Sequence, residues 1–215
     1  MRIAPRHSLG TLPLAAGLLA AFTAGAAAHP HVWITVETTV LYDKGAFTGL
    51  QHKWTFDEFY TAMAIEGLDK NKDGIYDREE LAELAKVNID GLKEFGYFTY
   101  PVLAGQDVKI QDPQDYWLEH KDGALSLHFT VPFAQPIPQK AKDFAYVVQD
   151  PAFYIAFVPA KTDPVKLAEG APKSCKVRIG NANSGSDDAE RLAKAFAQLA
   201  SPVSATKAVS IDCKD

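Results

Sequence analysis

From Val32 onward the chain alternates with a period of two, and no other feature limits its fold so tightly. Val32, Ile34, Val36, Thr38 and Val40 fall on one side, and Trp33, Thr35, Glu37 and Thr39 on the other. Successive side chains of a strand point to opposite faces, so this pattern marks a strand with one covered face and one open face. Asp43-Lys44-Gly45 supplies a turn, and Phe47 to Phe56 returns as a second strand. The chain therefore opens on an antiparallel hairpin. If Tyr42 pairs with Ala46, His31 faces Asp57 and His52 lies on the other face. A register longer by one residue moves His52 to the face of His31.

The covered face needs a partner layer, and the later chain supplies it. Phe56, Phe59, Tyr60, Met63, Ala64 and Leu68 recur at helical spacing, which predicts a helix over 56–68. After a polar loop, Leu81, Leu84, Ala85, Leu92 and Phe95 predict a second helix over 78–95. Strands are expected at 97–103, 108–111, 116–121, 124–131, 144–148, 153–158, 175–179 and 209–213. Asp122-Gly123 suits a tight two-residue turn. With Lys121 opposite Ala124, His120 joins Leu118, Leu125, Leu127 and Phe129, and His128 joins the more polar face of Ser126 and Thr130. Residues 161–174 read as an exposed loop. A helix is expected over 187–199, capped by Asp187 or Asp188. The sum is α+β: one domain over 29–215, with an antiparallel β-sandwich-like core and an EF-hand-type helix–loop–helix inserted at about 56–95. There is no βαβ pattern, no GxGxxG and no GxxxxGK[ST], which argues against nucleotide binding.

Residues 1–28 have the form of a secretory signal. Arg2 and Arg6 precede an apolar stretch from Leu12 to Ala28, and Ala26-Ala27-Ala28 offers a cleavage site before His29. No later segment approaches the roughly 18 apolar residues of a membrane span. The expectation is a periplasmic protein, cleaved near Ala28, whose mature form does not span the membrane. The whole chain carries a net charge of −5, and loss of two arginines with no acid makes the remainder more acidic still. Such a surface argues against nucleic acid and suits cations. Cys175 and Cys213 are the two cysteines, and in an oxidising compartment they are expected to form a disulfide.

The twelve residues Asp69 to Glu80 fit D-x-[DN]-x-[DN]-G-x5-E at every specified place. Calcium is a hard cation that takes six to eight oxygens, and the spacing can supply them. Asp69, Asn71 and Asp73 present side-chain oxygens from alternate positions. Gly74 permits the sharp turn, Ile75 offers its carbonyl, Asp77 acts through a water, and Glu80 closes the shell with both oxygens. The hand stands alone, whereas sensor hands come in pairs, so the expected role is a structural brace.

His29, as the new N-terminus, gives an amine and two imidazoles (His29 and His31) within three residues. Such nitrogen-rich sets suit zinc, nickel or copper. Pro30 has no N–H, so a chelate through the amide of residue two is blocked. What remains is a clamp from the His29 amine and ring with His31.

The segments His29-Pro30-His31-Val32-Trp33, Trp54-Thr55-Phe56-Asp57-Glu58, the acidic loop and Tyr97-Phe98-Thr99-Tyr100 together resemble a bacterial periplasmic family. It is catalogued as a domain of unknown function and often labelled the periplasmic component of an uncharacterised ABC-type transport system. The resemblance runs through most of the chain to about Pro159. It implies metal handling beside a membrane metal transporter of the zinc, nickel or cobalt type. The expected function is a metal-binding accessory braced by calcium, with no catalytic residues. One alternative is a calcium-stabilised interaction domain without transition metal; another is a copper enzyme using the N-terminal histidine. No G-x-S-x-G or H-E-x-x-H supports an enzyme.

Overall fold

A computed structural model describes residues 30–181, 196 and 207–213. The predicted signal, its cleavage site, His29 and most of the helix expected at 187–199 lie outside these residues. Among the described residues, no helix is long and apolar enough to cross a membrane.

The alternation becomes β1 (Val32–Asp43), which pairs antiparallel with β2 (Ala46–Phe56). A short helix α1 (Glu58–Ala64) and a longer helix α2 (Ala82–Leu92) follow, and a 3-10 turn (Lys93–Phe98) ends the helical insert. Then come β3 (Thr99–Leu103), β4 (Gln106–Asp107), β5 (Gln114–Lys121), β6 (Ala124–Pro138) and β7 (Phe144–Val148). The last strands are β8 (Ile155–Pro159), β9 (Val165–Leu167), β10 (Cys175–Asn181) and β11 (Lys207–Cys213).

Two sheets result. One runs β5-β6-β2-β1-β8, with β9 also paired to β1, and the other runs β10-β11-β7-β3-β4. Their facing surfaces form a common core. Ile34, Val36 and Val40 of β1, Leu50 and Trp54 of β2, and Leu125, Leu127 and Phe129 of β6 meet Phe144 and Tyr146 of β7 with Val209 and Ile211 of β11. The α+β class and the two-sheet arrangement are as expected, but the pairing is not purely antiparallel. β8 and β9 both run parallel to β1. The chain leaves β7 in the second sheet and crosses to the first, so it arrives at the edge of β1 running in the same direction.

Other boundaries also shift. The expected strand at 97–103 begins only at Thr99, because Gly96, Tyr97 and Phe98 hold left-handed backbone. The expected strand at 108–111 reduces to one bridge, Ile110 to Phe133. Within the expected loop at 161–174 lies β9. Lys121 does oppose Ala124, and Asp122 and Gly123 both have positive φ, as a two-residue primed turn requires.

The first helix is shorter than its apolar pattern. Asp57 caps it at one end, its carboxylate accepting from Tyr60 N at 2.8 Å, and Ile65 ends it at the other. Its buried residue is Thr61, while Phe59 and Met63, expected on the inner face, are 77% and 58% exposed. Thr61 is inward because its hydroxyl accepts from the buried Leu125 N at 3.1 Å. A backbone donor that would otherwise go unpaired outweighs an apolar side chain at that point.

Candidate functional site

The acidic loop lies between the two helices, and its shape follows from which residues tolerate positive φ. Lys72 and Gly74, at φ 61 and 79, turn the chain back so that its N–H groups point inward. Asp69 accepts from Asp73 N at 3.2 Å and Gly74 N at 3.0 Å. Asn71 accepts from Asp73 N, and Asp73 from Ile75 N. Asp77 caps the turn that leads into α2, accepting from Glu79 N at 2.8 Å and Glu80 N at 2.9 Å. Glu80, buried at 9% exposure, reaches across the loop to Lys70 N at 2.8 Å and Asp77 N at 3.3 Å. The last acidic position thus folds back over the first ones.

All six predicted ligand residues, Asp69, Asn71, Asp73, Ile75, Asp77 and Glu80, share this loop. Their carboxylates each accept backbone N–H bonds rather than converging. Among the described residues, no three His, Cys, Asp or Glu side chains group closely enough to hold a metal ion. Four like charges on one short loop repel one another, and backbone donors spread around the loop satisfy them separately.

The loop is gripped from the sheet side. Tyr76 sets its ring edge against His120 at 4.9 Å, and the Arg78 guanidinium lies 4.5 Å over Trp117. Trp117 in turn stacks on His128 at 3.7 Å. Tyr76 and Arg78 flank Asp77, so these contacts fix that loop position against β5 and β6. His128 also lies 3.4 Å from Glu119. Burial lowers its pKa, and Glu119 works in the opposite direction.

The remaining histidines are dispersed. His31 is exposed; its N–H donates to Tyr154 O at 2.8 Å and its ring tilts against Tyr154 at 4.8 Å. Asp57 meets Trp33 N, at 2.8 Å, instead of facing His31. The longer foreseen register holds only at the turn, where Tyr42 lies opposite Phe47. A bulge at Leu41/Tyr42 brings Thr38 opposite His52, which sends His52 into the core, on the other side from Trp33. There it is 1% exposed, with Thr38 Oγ1 3.0 Å from Nδ1 and Thr99 Oγ1 3.3 Å from Nε2. Burial pulls its pKa down to about 3, so it is neutral at physiological pH. Sequence reading left this residue unplaced; the one available hint was Thr38, a hydroxyl in an otherwise apolar row.

A family model described as "Protein of unknown function (DUF1007)" matches residues 14–210. The chain is also 27% identical over 172 residues to a Haemophilus influenzae protein titled "Uncharacterized protein", covering 79% of this chain and 80% of that one. It is 30% identical over 112 residues to a Spirochaeta aurantia protein titled "Uncharacterized 15.5 kDa protein in trpE 3'region", covering 51% of this chain and 79% of that one.

Proposed function

The chain belongs to this DUF1007 family, and for this member of it we propose a periplasmic metal-handling accessory protein whose loop Asp69–Glu80 takes calcium as a structural brace. The observation that carries the reading is Glu80. It is buried, it sits at the twelfth position of the loop, and it already folds back to the N–H of Lys70. A cation entering the loop would need that carboxylate to swing a short way from backbone donors to the ion, joining Asp69, Asn71, Asp73, Asp77 and the Ile75 carbonyl. The two short helices and the loop would then act as an EF-hand-type unit docked on β5. In this reading His29 and His31 form the handle for zinc, nickel or copper, offered to a membrane metal transporter. The chain's acidic balance is compatible with cation traffic.

Calcium binding to the folded state alone raises stability by RT ln(1 + [L]/Kd), about 2.7 kcal/mol at a hundredfold excess over Kd. The melting temperature of wild type in calcium should exceed that in chelator by several degrees. Glu80→Ala also removes acceptors from Lys70 and Asp77, so it should melt lower in either buffer. The informative quantity is therefore the calcium-minus-chelator difference, which Glu80→Ala should abolish. If wild type melts alike in both, the loop is an acidic turn and the proposal fails.

A second reading is a calcium-stabilised interaction domain without transition metal. It is favoured by the packing of the His31 ring on Tyr154, beside which the carboxylates of Asp57 and Asp150 are taken up by the backbone N–H groups of Trp33, Tyr154 and Ile155. Elemental analysis of protein from periplasm with its natural N-terminus separates the two. Stoichiometric zinc, nickel or cobalt supports the accessory, calcium alone supports the interaction domain, and copper with oxygen-dependent activity would revive the enzyme.

A further inference from the structure

The strand pairings bring four separate segments to one end of the sandwich. Val32 opens β1 opposite Ile155 of β8, β2 finishes nearby at Phe56, and Val148 finishes β7 opposite Thr99 of β3. That end is therefore built from the start of β1, the first turn of α1, the turn before β3 and the loop from β7 to β8. Each segment presents an aromatic ring to solvent: Trp33, Phe59, Phe95, Phe153 and Tyr154 are each 46–77% exposed. Single exposed apolar residues are ordinary, but five large rings from four segments at one end mark an interaction surface.

The backbone beneath the rings is fastened into one platform. His31 N and Val32 N donate to Tyr154 O, Trp33 N to the Asp57 carboxylate, and Gln149 N to Phe98 O. Phe153 is held out against local preference. Its φ of 57 is left-handed, an outlier for a bulky side chain that asparagine or glycine takes at little cost. Packing does not account for a phenyl at that exposed position.

The chain leading to this end indicates what covers it. Only four residues separate the apolar stretch Leu12–Ala28 from Trp33, a reach of at most roughly 17 Å. A chain held at a bilayer by that stretch would carry this end toward the lipid. The ring chemistry agrees, since Trp and Tyr gather at the membrane–water interface, where the ring is in apolar surroundings and its N–H or O–H stays wet. The charges select the lipid. Glu58 and Glu94 are exposed beside Phe59 and Phe95, so an anionic headgroup is repelled and a zwitterionic one is not.

We propose that Trp33, Phe59, Phe95, Phe153 and Tyr154 form a membrane-surface seat, their rings entering the interface of a zwitterionic bilayer while the body of the sandwich stays in water. The proposal rests on the reading of residues 1–28 as an export signal. Vesicle binding by purified protein reports on the seat alone, and the mass of the protein from periplasm reports on the signal, so each can fail without the other.

Tryptophan emission reads the contact. Of the three indoles, Trp54 is buried in the core and Trp117 is covered by His128 and Arg78, which leaves Trp33 open. The mature chain is titrated with phosphatidylcholine vesicles brominated on their acyl chains. Emission should shift to the blue and be quenched, saturably, and high salt should not reverse it. In Trp33→Phe the remaining emission should not respond to vesicles. Phe59→Ser combined with Phe153→Asn should weaken the partition by about tenfold or more. That variant should melt no lower than wild type, because both rings are exposed and asparagine accepts the left-handed backbone. The proposal is overturned if vesicles leave the Trp33 emission unchanged, or if the double variant partitions like wild type. Binding that needs phosphatidylglycerol and is stripped by salt overturns it too, since the contact would then be electrostatic. If sedimentation shows a dimer whose Trp33 emission is already blue without lipid, the face belongs to a second copy and the proposal falls.

Discussion

His52 occupies a core position beside the rings of Trp54 and Phe129, at centroid distances of 5.8 and 5.2 Å. Its two nitrogens are met by Thr38 and Thr99, so the neutral ring is satisfied, while burial away from water disfavours the charged one. The unfolded chain binds that proton near 6.5 and the folded one only near 3. Between those values the unfolded state holds more protons, so stability rises with pH and falls on acidification. The full shift corresponds to roughly 5 kcal/mol. Denaturant unfolding should show this loss between pH 6.5 and about 3. His52→Gln should cost about 1–3 kcal/mol at neutral pH and flatten the slope; an unchanged slope would remove His52 as its source.

Asp57 titrates with the opposite sense. Slight burial pushes its pKa up, but N–H bonds from Trp33, Tyr60 and Phe59 outweigh that and hold it below the usual value. Its contribution is present above the ordinary carboxylate range and lost as pH falls through the folded value. One carboxylate both caps α1 and ties down the start of β1. Asp57→Ala should therefore cost about 1–2 kcal/mol in denaturant unfolding, toward the upper end for a cap.

At the scale of elements, β2 shows how register is enforced. A Cβ on Gly49 would lie 2.6 Å from Val131 O and 3.0 Å from the Cα of Pro132. Both contacts are backbone, so neither can rotate away. Gly49→Ala should push β2 from β6 and cost about 1–3 kcal/mol, read as a lowered denaturation midpoint. The hairpins were legible in the sequence because alternation and turn residues act over a few residues. β7 was legible as a strand but not as a central one. Phe144, Tyr146 and Val148 face the sandwich core, while Ala145 and Val147 pack with Phe196 and Ala208 on the other side, so no alternation remains. The face of α1 was misjudged because a buried N–H on β6 asked for Thr61. The place of His52 was hidden by a one-residue bulge that no local pattern announces. The acidic loop is the reverse case. Its spacing is entirely local and easily read, yet where its oxygens sit is decided by N–H donors and by charge repulsion.

For the whole molecule, the disulfide Cys175–Cys213 joins residues directly opposite each other on β10 and β11, separated by 38 in sequence. On the chain-entropy model, closing a loop of that size is worth roughly 3–4 kcal/mol. Mass spectrometry without reductant should find no free thiol, and reduction should lower the unfolding free energy by about that amount. Alkylation of both cysteines in unreduced protein would contradict the pairing.

The parallel pairing of β1 with β8 also sets an order of events as the chain is made. β2 follows β1 across a tight turn, so one edge of β1 is covered almost at once. The other edge waits for residues 155–167, since Val32 pairs with Ile155 and Thr38 with Val165. Until then, a long β-branched strand offers open N–H and C=O groups, the template on which chains join one another. Contacts this distant in sequence also form slowly. A chain ending before Ile155 should therefore aggregate rather than fold, which light scattering of the truncated protein would reveal. The vulnerable interval is the passage of most of the chain, during which β1 depends on something else to keep its edge from neighbours.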